Sequence, residues 1–293
     1  MTGMRRIGVV VHPQRPVDAA LDALKGWAAQ TGGGVVQIMV PGQHREVAPP
    51  GDAGAVDLIA AVGGDGTTLA ALHAAASHRL PVLGIACGSL GALTATSAAE
   101  LPSALDRLAS GDWHRRVLPG VGVAAEGGTP HVAINDLVVV RKGANQVTID
   151  VHVDDELYVR FAGDGVVIST PLGSSAYTMA AGGPILVDDT EAIVVTPVAP
   201  HGGSTPPLVV GATRSVTIDV DGGFGGARIE FDGQIKDFAP HRLRTSWCAD
   251  YATLVRFDGA ESSLAGLRRR RILMDSPRVL ARDERAEASA RPV

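Results

Sequence analysis

The apolar run Leu58-Ile59-Ala60-Ala61-Val62 passes directly into Gly63-Gly64-Asp65-Gly66-Thr67 and then into a helical pattern reaching Ser77. Glycines at such a junction let backbone N–H groups approach an anion closely, and the N-terminus of the following helix adds a favourable dipole. The chemistry on offer is phosphate binding by Gly63, Gly64, Gly66 and the Thr67 hydroxyl, with the Asp65 carboxylate at the mouth of the site. In open α/β sheets ligands collect beyond the carboxyl ends of the strands, where Asp65 would stand. The loop has neither the Lys of a Walker motif nor the Gly-x-Gly-x-x-Gly spacing of a dinucleotide fold. Taken alone, it reads equally well as a tight turn in which Asp65 caps the helix.

A second set of candidates lies downstream, in Gly163-Asp164-Gly165 and in Thr170-Pro171-Leu172-Gly173-Ser174-Ser175-Ala176-Tyr177. Asp164 offers a carboxylate that accepts from an amide or amino group of a base or nicotinamide. Ser175 offers a hydroxyl, and Tyr177 an amphipathic ring able to line a cleft. Asn135-Asp136 sets an amide beside a carboxylate, a pair able to grip ribose hydroxyls. Ordinary readings stand beside these: Tyr177 as core, Asp164 as a turn residue, Ser174 or Ser175 as a helix cap.

Such residues need elements to hold them. Up to about Ala109 short β-branched runs (7–11, 35–40, 58–62, 82–85) alternate with helical patterns (17–30, 67–77, 98–109), the texture of a parallel sheet flanked by helices. The expectation is a doubly wound, Rossmann-like α/β domain over residues 1–116. After Trp113 the pattern changes to period-two alternation with frequent Gly, at 147–153, 157–161, 215–220 and 228–231. An all-β, sandwich-like domain is expected over 117–256, interrupted by a short helix at 174–181. A segment at 257–275 is expected to pack back on the first domain, and 276–293 to form a disordered tail.

Composition narrows the function classes. The 293 residues are 45% hydrophobic and 19% charged, and 26 Lys and Arg stand against 31 Asp and Glu for a net charge of −5. No global field draws such a chain to nucleic acid or to an anionic membrane, so a small partner is expected. Arg268 to Arg271 form one basic run, which reads as a solvated helix end or an interdomain contact. Cys87 and Cys248 are far apart and lack a Cys-x-x-Cys spacing, so they suggest no zinc site or disulfide framework. The apolar stretch after Arg5-Arg6 is too short for a signal-peptide core, and no run approaches the ~20 residues of a membrane span. A cytoplasmic enzyme is the expectation.

Taken together, the two blocks resemble the NAD kinase family. Gly63-Gly64-Asp65-Gly66-Thr67 is shared with diacylglycerol and sphingosine kinases and, in shorter form, with phosphofructokinases. The stretch from Gly163 to Tyr177, continued by Ala181-Gly182-Gly183-Pro184, is similar to the long signature of NAD kinases. His12-Pro13, Gly84-Ile85 with Gly88, Leu90-Gly91, Asn135-Asp136, Pro200-His201 and Asp232-Gly233-Gln234 follow in the family's order across residues 5 to 270.

The resemblance implies transfer of the ATP γ-phosphoryl group to the 2′-hydroxyl of the adenosine ribose of NAD. Asp65 would serve as catalytic base, and Gly63, Gly64, Gly66 and Thr67 would hold the donor phosphates. Asn135, Asp136, Asp164, Ser175, Ala176 and Tyr177 would bind the acceptor. Mg²⁺ would be held mainly through ATP phosphates without a protein metal cluster, and a homodimer or homotetramer is implied. Departures from the family gather around the substrate: Ala86 for Asn, Ala92 for Phe, Asp136 for Glu, Leu172 for Thr or Ser, and Pro206 for a frequent Arg. Sites that lose polar contacts discriminate differently among hydroxylated substrates. A kinase of the same family retuned to another adenosine-like acceptor is therefore the alternative, with a catalytically silent NAD(P) sensor behind it.

Overall fold

Alternation along the first strand decides how the N-terminal half is layered. In β1 (Arg6–Val11), Ile7, Val9 and Val11 belong to one apolar cluster and Val10 to another, so both faces of the strand are buried. The computed structural model describes residues 4–125, 128–236 and 241–290. After β1 come α1 (Asp18–Gln30), β2 (Gly34–Gln37), β3 (Leu58–Gly63), α2 (Asp65–Ala76), β4 (Pro81–Ala86), β5 (Thr96–Ser97) and α3 (Leu101–Ser110). The parallel order is β2-β1-β3-β4. On one face Leu21 and Leu24 of α1 and Leu105 and Leu108 of α3 pack with Ile7, Val9, Leu58 and Ala60; on the other, Ala71, Leu72 and Ala75 of α2 pack with Val10, Ile59 and Ala61. This is the doubly wound arrangement expected. The chain leaves β1 for β2 on one side and for β3 on the other, so the ends of β1 and β3 flank the switch point where such folds bind ligands. The second strand is shorter than the 35–40 run suggests: Gln37, buried at its end, turns its side chain to Arg45 O and Val47 N at 2.6 and 2.8 Å.

The second half runs β6 (His114–Ala125), β7 (His131–Ala133), β8 (Asp136–Arg141), β9 (Val147–Val153), β10 (Glu156–Gly163), β11 (Gly165–Ser169), the short helix α4 (Pro171–Gly173), β12 (Ala192–Val198), β13 (Leu208–Gly211), β14 (Val216–Asp221), β15 (Ala227–Phe231), β16 (Gln234–Lys236) and β17 (Arg242–Arg256). One sheet, β13-β12-β11-β8-β15-β16, is antiparallel throughout. Its Leu137, Val139, Val166, Ile168, Ile229 and Phe231 interleave with Ile149, Val151, Ile218 and Leu243 of the strands facing it, giving the expected sandwich.

The two textures do not make two separate bodies. β17 pairs antiparallel with β14 and β6 and also parallel with β4, through Thr253↔Pro81 and Leu254↔Val82. One sheet therefore runs from β10 through β17 into β4 and out to β2, and residues 1–258 form one compact unit.

Residues 259–293 form a second unit. It opens with α5 (Ser263–Arg269), capped by the Ser262 hydroxyl accepting from Ala265 N at 3.2 Å. The basic run is spent locally: Arg268 grips Asp275 at 2.8 and 2.6 Å, and Arg269 meets Glu261 at 2.9 Å. Where a disordered tail is expected from 276, a helix α6 (Pro277–Ala290) is present instead, and residues 291–293 lie outside the described residues. Its Ala-, Arg- and Glu-rich sequence is made of strong helix formers, with Pro at the first turn where its missing N–H costs nothing. Among the described residues no helix is long and apolar enough to cross a membrane.

Candidate active site

The glycine loop is a place of close approach. Gly63 ends β3, and a Cβ there would overlap the Thr67 hydroxyl; Gly64 is the extended N-cap of α2. Thr68 returns both its N–H and its hydroxyl to Gly64 O at 2.9 and 3.0 Å, closing the first turn. A Cβ on Gly66 would meet nothing within 4 Å, so the loop opens to solvent there. The first turn of a helix leaves N–H groups without intrahelical partners, which suits this end of α2 to an anion.

Asp65 is the first residue of α2, and its carboxylate reaches across to the loop after β4. Its Oδ2 accepts from Ala92 N and its Oδ1 from Leu93 N, both at 2.9 Å, drawing the loop after β4 against the helix N-terminus. Gly91 is required by this clasp, since a Cβ there would overlap the Asp65 carboxylate. Gly91 N in turn donates to Thr94 Oγ1 at 2.8 Å. The Leu90-Gly91 pair noted in the sequence is the loop that aims Asp65.

Cations surround this corner. Arg15, exposed in the loop after β1, brings its guanidinium beside the glycines, 3.1 Å from where a Cβ on Gly88 would lie. That loop is shaped by His12, whose Nδ1 accepts from Gln14 N and Arg15 N at 3.1 Å. Arg116, on β6, pairs with Asp188 at 2.7 Å. Arg256 is pulled below its ordinary pKa by burial and by Arg116, while Asp188 and Asp65 act in the opposite sense. A guanidinium stays charged under such shifts, so Asp65 sits in a positive field suited to phosphate. The sequence reading missed Arg15, Arg116 and Arg256. Arg15 had a signal, its position four residues beyond the first strand; the other two depend on strand pairing.

The acceptor candidates gather on the β7–β8 turn and the segment after β11. Thr170 N donates to Asn135 O at 2.9 Å, and Thr170 Oγ1 donates to Ile134 O at 2.6 Å. Gly173 approaches Asn135 so closely that a Cβ would overlap its carbonyl. Thr170 caps α4 by accepting from Gly173 N. Ser174 is buried and structural, donating to Pro171 O at 2.6 Å and accepting from Leu186 N at 2.9 Å. The following turn, Ser174–Thr178, is kinked at Ala176, whose backbone leaves helical geometry. Ala176 and Tyr177 are exposed, so this turn presents a ring outward, while the half-buried Ser175 turns its hydroxyl back to donate to Leu172 O at 3.3 Å.

Asn135 and Asp136 are held by a carboxylate from elsewhere in the chain. Asp232 accepts from Ile134 N, Asn135 N and Asp136 N at 2.9, 2.6 and 3.2 Å. It can do so because Asp232 and Gly233 both adopt positive φ in the tight turn between β15 and β16. Asp136 is itself buried, and burial, with the Asp232 and Glu230 carboxylates nearby, pushes its carboxyl up to about 7. The group expected to grip a ribose is therefore balanced between donor and acceptor near neutrality.

Asp164 does not join this cluster within the chain. It follows β10, bonded to Arg141 Nε at 2.6 Å, at the end of β11 opposite to Ser169, which pairs with Asp136. A five-residue strand spans roughly 17 Å, so Asp164 lies on the other rim of the sheet from Asn135 and Ser175. Adjacency in the signature does not survive a strand running between its two parts.

The departures from the family pattern have distinct settings. Ala86 is buried at the end of β4, Ala92 supplies a backbone N–H to Asp65, and Leu172 packs with the apolar cluster of α2. Pro206 contributes only its carbonyl, which accepts from the Tyr158 hydroxyl at 2.9 Å.

Comparison with known proteins agrees with the fold. The family model described as the ATP-NAD kinase N-terminal domain matches residues 9–113, and that described as the ATP-NAD kinase C-terminal domain matches residues 134–255. The chain is 32% identical over 243 residues to the NAD kinase of Koribacter versatilis, covering 79% of this chain and 85% of that protein. It is 37% identical over 199 residues to that of Symbiobacterium thermophilum, covering 66% and 70%. With the NAD kinase of Heliobacterium modesticaldum, 36% identical over 185 residues, the match spans 61% of this chain and just under two thirds, 65%, of that protein. Among solved structures, yeast NADH kinase complexed with NADH superposes with a TM-score of 0.76 at 20% identity, covering 93% of this chain and 89% of that one. An NAD kinase from Archaeoglobus fulgidus in complex with ATP gives 0.70 at 23%, covering 86% and 93%. At these identities the two structures speak for the fold.

Proposed function

The chain belongs to the ATP-NAD kinase family, and from that membership we propose that it transfers the γ-phosphoryl group of ATP to the 2′-hydroxyl of the adenosine ribose of NAD, giving NADP. The observation that carries the reading is Asp65, fixed by the Ala92 and Leu93 N–H groups at the N-terminus of α2 beside the glycine loop. Phosphoryl transfer asks little covalent chemistry of a protein; it asks for an in-line hydroxyl, neutralised phosphate charge and a proton acceptor. With its oxygens aimed by backbone N–H groups, the Asp65 carboxylate orients and deprotonates the attacking hydroxyl. The first-turn N–H groups of α2, the Thr67 hydroxyl and Arg15 hold donor phosphates. Arg256 supplies positive charge on the opposite side. Asn135 and Asp136 grip the acceptor ribose, with Ser175, Ala176 and Tyr177 lining the acceptor pocket.

Among the described residues no three ligating side chains come together as a metal site. We read the ion as Mg²⁺ carried by ATP, its shell completed by phosphate oxygens and water, as the family resemblance implies. When bound, that ion neutralises charge on the phosphate oxygens. We read the chain as a cytoplasmic homodimer or homotetramer, supported by the family resemblance and testable by light scattering.

A retuned acceptor remains the second reading, favoured by the buried Asp136 in place of a longer Glu. The deciding experiment incubates the purified chain with ATP, Mg²⁺ and a panel of NAD, NADH, adenosine and AMP, and identifies products by mass spectrometry. NADP as the main product is expected. Turnover of a free nucleoside with none of NAD overturns the first reading in favour of the second, and tight NAD binding without ADP release points to a sensor.

A further inference from the structure

His73 lies two turns along α2 from Asp65 and makes contacts that the functional reading above does not use. Its Nε2 is 2.6 Å from Asp232 Oδ2 and its Nδ1 is 2.9 Å from the Tyr251 hydroxyl, with the His73 and Tyr251 rings meeting edge to face. Asp232 is only 2% exposed, whereas His73 is one third exposed. The same Asp232 carboxylate accepts the N–H groups of Ile134, Asn135 and Asp136. Three elements distant in sequence thus converge: α2, the β15–β16 turn and β17.

We infer that His73 is a positioning residue for the acceptor: by fixing Asp232 it sets the Asn135–Asp136 peptide at a defined distance from Asp65, which rides on the same helix. Eight residues of helix separate Asp65 from His73, roughly 12 Å of rigid rod. The helix that carries the catalytic carboxylate is thereby tied to the segment that holds the acceptor. The tie is built to persist. A carboxylate only accepts, so Nε2 carries the hydrogen shared with Asp232; the Tyr251 hydroxyl then donates to Nδ1 of a neutral ring or accepts from a protonated one. The groups facing His73 are Tyr251 from β17 and Asp232 from the hairpin. Behind Asp232 lie Asp136 on β8 and Glu230 on β15, the latter paired with Arg228 at 2.6 Å. Without the imidazole, Asp232 loses its one described side-chain donor and the three N–H groups lose a fixed partner. The acceptor peptide then drifts while the donor loop, held by its own backbone bonds, stays in place.

The inference rests on the proposed reaction for its kinetic consequence but not for its structural one, and the test separates the two. His73→Leu fills similar volume without hydrogen bonding, while the His73→Gln amide reaches Asp232 in place of Nε2. Loss of a charge-assisted hydrogen bond in His73→Leu is expected to raise KM for NAD about tenfold or more with kcat within about threefold, and His73→Gln to recover most of it. On the ligand-free chain, amide exchange at Ile134, Asn135 and Asp136 is expected to speed up about tenfold in His73→Leu and to return towards wild type in His73→Gln. A folded His73→Leu with wild-type exchange and KM overturns the inference, as does a kcat loss at unchanged KM. If wild type does not phosphorylate NAD, the functional reading fails while the exchange result still decides the positioning role. Should His73→Leu fail to fold, His73→Asn serves instead: its shorter amide mimics Nδ1 and reaches Tyr251 but not Asp232, so equal KM and equal exchange in Asn and Gln variants overturn the inference.

Discussion

The donor corner and the acceptor corner of this molecule are held by different physics. Around Asp65 the restraints are steric and local to the β3–α2 and β4–β5 loops: glycines without which backbone and carboxylate would overlap, and N–H groups donated from adjacent residues of one loop. Around Asn135 and Asp136 Thr170 holds the carbonyls, but the N–H groups depend on one buried carboxylate, Asp232, nearly a hundred residues away, itself held by a histidine from α2. The first corner is held by close packing and by backbone donors from one loop. The second carries ionisable groups at every joint, and its Asp136 titrates near neutrality. Phosphoryl transfer thus combines a rigid donor cradle with a tunable acceptor grip, and substitutions should affect rate on one side and acceptor affinity on the other.

The largest expected break is at the rigid corner. Asp65→Asn keeps the shape but removes the proton acceptor, and loss of positioned base catalysis is expected to slow phosphoryl transfer by about 10²- to 10⁴-fold. It also turns an amide NH₂ towards a backbone N–H that now finds a carboxylate oxygen, so the loop carrying Ala92 and Leu93 loosens. Single-turnover rates with saturating ATP and NAD check the chemical step; an unchanged rate removes Asp65 from the mechanism.

A smaller effect sharpens the steric half of the contrast. Gly91→Ala forces a Cβ into the Asp65 carboxylate and is expected to cost about 1–3 kcal/mol of stability, as overpacking does, with a matching loss of turnover. Gly66→Ala meets nothing within 4 Å, and inside a helix the change is expected to stabilise by up to about 1 kcal/mol. Denaturant midpoints on the two variants test this directly. If both are equally tolerated, the glycine clasp on Asp65 is not a restraint.

How much of each corner could be read from the sequence follows from the same difference. Glycines at a strand end and a helix start carry their reason in their neighbours, so Gly63, Gly64 and Asp65 were legible, as were the alternating strands of both sheets. The clasp itself was not, because Leu90-Gly91 shows no chemistry until β4 brings it to Asp65. His73, Tyr251 and Asp232 are joined by contacts spanning 159 and 178 residues, and no local pattern distinguishes a helix histidine that reaches a buried carboxylate from one facing solvent. The distance between Asp164 and Ser175 was not legible either: the signature is contiguous in sequence, but β11 carries its two parts to opposite rims. The continuity of the sheet through β17 was hidden too, since a single strand pairing parallel on one side and antiparallel on the other reads in sequence as one more β-strand.

The mildest prediction concerns the tunable corner and follows from the sign of the Asp136 shift. Its carboxyl is raised from an ordinary 3.8 to about 7 in the folded chain, so between those values the folded state binds a proton that the unfolded state has released. Stability from this group is greatest below about pH 4 and is lost as pH rises to about 7, with a slope of at most ~1.4 kcal/mol per pH unit. Asp136→Asn removes the titration while keeping a polar side chain of the same size. It is therefore expected to flatten that slope and to be more stable than wild type at pH 8, with a smaller difference at pH 4. Urea unfolding at the two pH values checks this, and parallel slopes in the two proteins would show that Asp136 does not titrate there. The same substitution bears on the acceptor grip. Below pH 7 the protonated acid donates to a ribose oxygen and above it the carboxylate accepts from a ribose hydroxyl, so wild-type KM for NAD should inflect near pH 7 while the Asn variant, able to do both at any pH, should not. An inflection that survives in Asp136→Asn would show that the pH dependence of KM does not arise at Asp136.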